Sequence, residues 1–230
     1  MKILIKNYKY MSMWGFFPIY LLILFFILKT DHCVAYGLPF SAGREGINYY
    51  AFRDWILMIV VPLVANCGLL NNMKTLENLI CLRVKHRTHF CFLMISGCLI
   101  NSILWGSIIA VLSPMLNHFE FQLKIVIAIA ANQIVWGQLQ VLFYCLCRSV
   151  SMSCLYTVGV VSSSFLIGEY HPNLAIYLPS TWGMIYRSNI YSKNGAPLHQ
   201  YITYSLLLFA AAIFLSLLCY RKDRAIAWKK

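Results

Sequence analysis

A chain of 230 residues that is 60% hydrophobic and only 11% charged is poorly suited to be a soluble domain, which carries about a quarter charged residues. Its net charge of +12 does not point to nucleic acid, because the basic residues sort by side of a membrane instead of forming one patch. The nine cysteines form no disulfide framework: Cys33 alone falls clearly on the outer side, without an evident partner there, and the rest read as small apolar thiols in the spans or toward the cytoplasm.

Six apolar stretches organise the chain, at about 12–28, 55–70, 91–112, 123–146, 152–168 and 201–219. Each is near the length that a helix rising about 1.5 Å per residue needs to cross ~30 Å of hydrocarbon. The expected fold is all-α: a polytopic membrane protein of six transmembrane helices in a single transmembrane domain over residues 1–230.

In chain order, residues 1–10 set Lys2, Lys6 and Lys9 among Ile3, Leu4, Ile5, Tyr8 and Tyr10. That composition suits a short helix at the membrane interface, or a frayed tail. The first apolar stretch is expected to stay in the protein, since Lys29-Thr30-Asp31-His32 lacks the small residues of a signal-peptide cleavage site. Residues 29–53, with Gly37, Pro39, Gly43 and Gly46, read as an irregular loop. Residues 71–89, NNMKTLENLICLRVKHRTH, contain no Pro or Gly. Met73, Leu76, Ile80 and Val84 recur along one helical face, and Lys74, Asn78, Cys81 and Lys85 along another. An amphipathic cytoplasmic helix between spans two and three is expected, capped at Asn71 or Asn72. Such a helix offers a docking face or anchors the bundle at the membrane surface. The connection around Ser113-Pro114 is expected to be short. Residues 169–200 alternate Pro172, Pro179 and Pro197 with Tyr170, Tyr177, Trp182, Tyr186 and Tyr191, which suggests broken helices at, or dipping into, the outer interface.

Charge sets the expected orientation. The side that holds both termini carries thirteen Lys and Arg against Glu77 and Asp223, and the other side carries six against five acids. The positive-inside rule then puts both termini in the cytoplasm, in a plasma or inner membrane.

Little in the spans suggests chemistry. No Asp, Glu, Lys, Arg or His falls mid-span, which argues against a proton-coupled carrier. The mid-span polar groups are uncharged: Asn66, Asn101, Asn132, Gln133, Gln138, Gln140 and Ser162–Ser164. Gln133, Trp136 and Gln140 share a face, for helix packing or for lining a substrate path. Cys81, His86, His89 and Cys91 would not converge on a metal from one helix. Neither a G-x-S-x-G nor a phosphate-binding G-x-x-x-x-G-K-[ST] occurs, so no catalytic, metal or cofactor residue is assigned, and the chain is not expected to bind and hydrolyse ATP through a P-loop of its own.

Taken together, the six-span layout, the basic amino terminus, the helical loop TLENLICLRVKHRTHF, the aromatic segment before the last span and the tail YRKDRAIAWKK resemble the transmembrane subunit of an ABC-2 type ABC exporter. The compact size is similar to permeases of the lantibiotic-immunity or bacteriocin kind. The resemblance implies a permease without enzymatic activity, paired as a homodimer or with a second permease subunit in the lipid bilayer. A separate cytoplasmic ATP-binding subunit would dock on Leu76, Glu77, Ile80, Arg83, Val84 and Arg87. Glu77 stands at the family's acidic position, and Leu82-Arg83 with Arg87 at its leucine and basic positions. The Gly and Pro common around that loop are absent here, so the docking turn is not fixed by motif. The implied cargo is amphipathic or peptide-like. A membrane scaffold or regulator that transports nothing is the alternative, and an intramembrane enzyme a third.

Overall fold

The computed structural model describes residues 13–30, 49–83, 87–117, 123–190 and 195–227. They form helices α1 (Met13–Thr30), α2 (Tyr49–Arg83), α3 (Arg87–Asn117), α4 (Leu123–Cys147), α5 (Val150–Tyr170), the four-residue α6 (Pro172–Ala175) and α7 (Leu198–Ala227). Two 3-10 turns, Thr181–Gly183 and Ile185–Arg187, lie between α6 and α7. A single bridge, Ser188 to Ala196, is the β-type pairing among the described residues. The all-α expectation is met.

Among the described residues, five helices are long and apolar enough to cross a membrane, over Phe52–Thr75, His89–Leu112, Val126–Cys147, Val150–Tyr170 and Leu198–Cys219. The chain is thus compatible with a multi-pass membrane protein. The first apolar stretch is helical as well, an 18-residue α1 with Pro18 inside it; its described apolar part is the shorter Pro18–Ile27.

Helix ends depart from the hydropathy boundaries for identifiable reasons. α2 continues through Asn71 and Asn72 to Arg83, so residues 71–83 are the end of a 35-residue helix and no cap starts a separate one there. Nothing between 71 and 83 breaks a helix, and Thr75 settles its hydroxyl on the Asn72 carbonyl at 2.7 Å. α3 likewise passes Ser113-Pro114 and ends at Asn117, so the short connection begins later than expected. α2 also starts inside the expected loop, at Tyr49. The expected amino-terminal interfacial helix, at 1–10, lies outside the described residues.

α4 is the axis of the bundle, packing on α2, α3, α5, α7 and the 181–183 turn. Two glycines make this possible. A Cβ on Gly106 would stand 2.9 Å from the Ala130 backbone, and one on Gly137 would run into the Ser102 hydroxyl. α3 and α4 therefore approach closely, as small residues allow between membrane helices. One apolar cluster joins Trp55, Ile59, Trp136, Phe165 and Ile185; another joins Leu70, Met73, Phe90, Met94 and Tyr144 toward the α2–α3 end.

α4 turns into α5 through Arg148 and Ser149 alone. Arg148 adopts φ 54°, a left-handed conformation that costs a non-glycine residue about 1 kcal/mol. Its amide donates to the Tyr144 carbonyl at 2.8 Å, which closes α4, and the Ser149 hydroxyl accepts from the Met152 amide to cap α5. Lys74 of α2 reaches the Arg148 carbonyl at 3.4 Å.

Candidate functional site

The midpoints of α2, α3 and α4 carry polar side chains, and the packing turns all of them inward. Asn66, Asn101, Ser102, Asn132, Gln133, Gln138 and Gln140 are buried. A buried amide must find partners within the protein, and most do. Asn101 donates to the Asn66 side-chain oxygen at 2.7 Å, linking α3 to α2. Gln138 donates to the Ile95 carbonyl at 3.2 Å. Gln140 donates to the Leu63 carbonyl at 3.0 Å and to the Cys67 sulfur at 3.1 Å. Trp136 donates to the Asn132 oxygen at 2.8 Å, and Asn132 donates in turn to the Pro179 carbonyl at 3.2 Å. A column of uncharged hydrogen-bonding groups thus climbs α4 from Gln140 to Asn132, and its top touches the segment between α5 and α7.

That segment forms a cap. Pro172 opens α6 at a position where the missing N–H costs nothing. Thr181 then donates its hydroxyl to the Ala175 and Leu178 carbonyls, and Trp182 donates to the Ile176 carbonyl at 2.9 Å. Gly183 presses against Asn132, so that a Cβ there would stand 2.5 Å from its carboxamide. The aromatic, proline-punctuated stretch is therefore folded as short helical pieces whose residues 180–185 are buried.

An ion pair holds the cap to the bundle. Arg187, fully buried, pairs with Glu169 at the end of α5, and its guanidinium lies 5.0 Å over the Phe165 ring. Phe165 is stacked in turn on Phe52 at 4.5 Å and tilted against Trp55 at 5.5 Å. Burial pushes the Arg187 pKa down, and the Glu169 carboxylate pulls it back up; an arginine so placed stays charged. The backbone of the pair is fixed by Tyr201 of α7, whose hydroxyl donates to the Arg187 carbonyl at 2.9 Å and accepts from the Ala196 amide at 3.3 Å. The other buried charge among the described residues, Asp54, is bound by its neighbour Arg53 at 2.7 Å. Both buried charges stand near helix ends, away from the polar midpoints.

The residues singled out from sequence fall in two places. Gln133, Trp136 and Gln140 are all interior, Trp136 and Gln140 held by the bonds above. Leu76, Glu77, Ile80 and Arg83 lie on the last turns of α2, and Arg87 opens α3. Of these the side chain of Glu77 is described, half-buried and within electrostatic range of Tyr144; Val84 lies outside the described residues. Of the cysteine–histidine cluster, His89 is exposed and Cys91 buried; among the described residues no three His, Cys, Asp or Glu side chains gather as a metal site would need. Sequence reasoning missed Ser102 and the Glu169–Arg187 pair. The one available signal was an acid ending an apolar span, followed by an arginine set among aromatic residues. No family model matches the chain, and no curated protein or solved structure matches it.

Proposed function

We propose that the chain is the permease subunit of an ATP-driven exporter of the ABC-2 type, working with a separate cytoplasmic ATPase subunit and as a dimer of permeases. In this reading all six apolar helices cross a plasma or inner membrane, both termini are cytoplasmic, and the cap lies outside. The observation that carries it is the length of α2. Its 35 residues make a rod of about 52 Å, well beyond ~30 Å of hydrocarbon. The inner turns, with Leu76, Glu77, Ile80 and Arg83, then project as a handle for a soluble motor. The uncharged midpoints of the spans support an external energy source, because no proton- or ion-binding carboxylate of the sequence falls at mid-depth. ATP-driven closure of the motor would shift the bundle by its differential affinity for two arrangements of that handle.

A photo-crosslinking residue at position 83 should capture a cytoplasmic ATPase, and Glu77→Ala or Arg83→Ala should abolish export while leaving membrane insertion intact. Capture of no ATPase, together with normal export by both variants, would overturn the proposal in favour of a scaffold.

A further inference from the structure

Three polar atoms among the buried midpoints of α2, α3 and α4 have no hydrogen-bond partner in the protein: Asn66 Nδ2, Ser102 Oγ and Gln140 Oε1. Their residues are 0%, 1% and 0% exposed, so lipid and bulk solvent are both excluded. They also stand together. A Cβ on Gly137 would collide with Ser102 Oγ and lie 3.1 Å from Asn66 Nδ2, so both groups converge on the bare Cα of Gly137. Gln140 is one turn further along the same face of α4, and its own amide nitrogen bonds Leu63 and Cys67, which flank Asn66 on α2. All lie near the centres of the spans at 52–75, 89–112 and 126–147.

We infer that this seam between α2, α3 and α4 is a binding site for ordered water, one or two molecules bridging Asn66, Ser102 and Gln140 at mid-depth. The donor set selects the ligand. Asn66 presents an N–H, Gln140 a carbonyl oxygen and Ser102 a hydroxyl that does either. A cation is opposed by the first and an anion by the second. Water donates and accepts, and it needs two to four such partners to be held in a buried site. The absence of a side chain at Gly137 lets Ser102 Oγ and Asn66 Nδ2 close in on the same stretch of the α4 backbone. The site does not depend on the permease reading, since a scaffold with this interior would hold the same water.

The test is water-edited solid-state NMR on the full chain in proteoliposomes, with asparagine, glutamine and tryptophan side chains labelled with 15N. Polarisation from water should reach the Asn66 carboxamide at least about fivefold faster than the Trp136 indole N–H, which is satisfied by Asn132 and serves as the dry control. Ser102→Ala, which removes one partner and little volume, should slow transfer to Asn66 at least about twofold without moving Trp136. Equal build-up at Asn66 and Trp136 would overturn the inference, because the orphaned groups would then be dry. Transfer that appears in sodium chloride and vanishes in choline chloride would also overturn it, by assigning a cation.

Discussion

α4 and α7 are both apolar spans, yet they occupy opposite environments. Two-thirds of the α4 span (67%) is buried within the bundle, against 17% of the α7 span. The order of hydropathy runs the other way: α7 is the most apolar of the five spans and α4 the least. A water-soluble protein would place the greasier helix inside. That order suits a bundle of membrane-spanning length: in hydrocarbon, apolar side chains such as Leu206, Leu207 and Phe214 are at no disadvantage at the rim, and polar groups are what gain from the centre. Interior position in this protein is decided by where amides find partners.

The sharpest test of that contrast removes a charge from the interior. Arg187→Ala leaves Glu169 buried without its cation, and should cost about 3–5 kcal/mol. Thermal unfolding in mild detergent would measure it, with Glu169→Gln/Arg187→Gln expected to recover most of the loss. Next, Gly137→Leu forces a side chain against Ser102 and Asn66 and should cost about 1–3 kcal/mol, read from the same melts. Asn101→Leu strips the Asn66 oxygen of its donor and should cost about 1 kcal/mol. At the rim, Leu207→Ala should change stability by less than about 0.5 kcal/mol. A loss above about 1.5 kcal/mol at Leu207, or a change in oligomeric state by light scattering, would mean that protein covers the rim of α7, and the contrast with α4 would fail.

Much of the helical plan was legible, because a run of apolar residues long enough to cross a bilayer has few other ways to satisfy its backbone. The ends were less so. Hydropathy marks where lipid stops, whereas a helix stops where its backbone is broken, and neither Asn71-Asn72 nor Ser113-Pro114 breaks it. Gln133, Trp136 and Gln140 share a face by helical periodicity, but α4 is surrounded on most sides, so facing tells little about role. The cap was beyond reach for another reason. Glu169 meets Arg187 across 18 positions, and Tyr201 reaches back to Arg187 across 14. Those encounters exist only once α5, the 3-10 turns and α7 have packed.

The two-residue corner at Arg148 and Ser149 leaves no slack between its helices, so α4 and α5 behave as the prongs of one fork. One prong carries Asn132 under Pro179, and the other ends in Glu169 beneath Arg187. Tilting the fork therefore drags the cap along with it. Opening that end of the bundle requires the segment to let go of both prongs, and the salt bridge is the stronger of the two clasps.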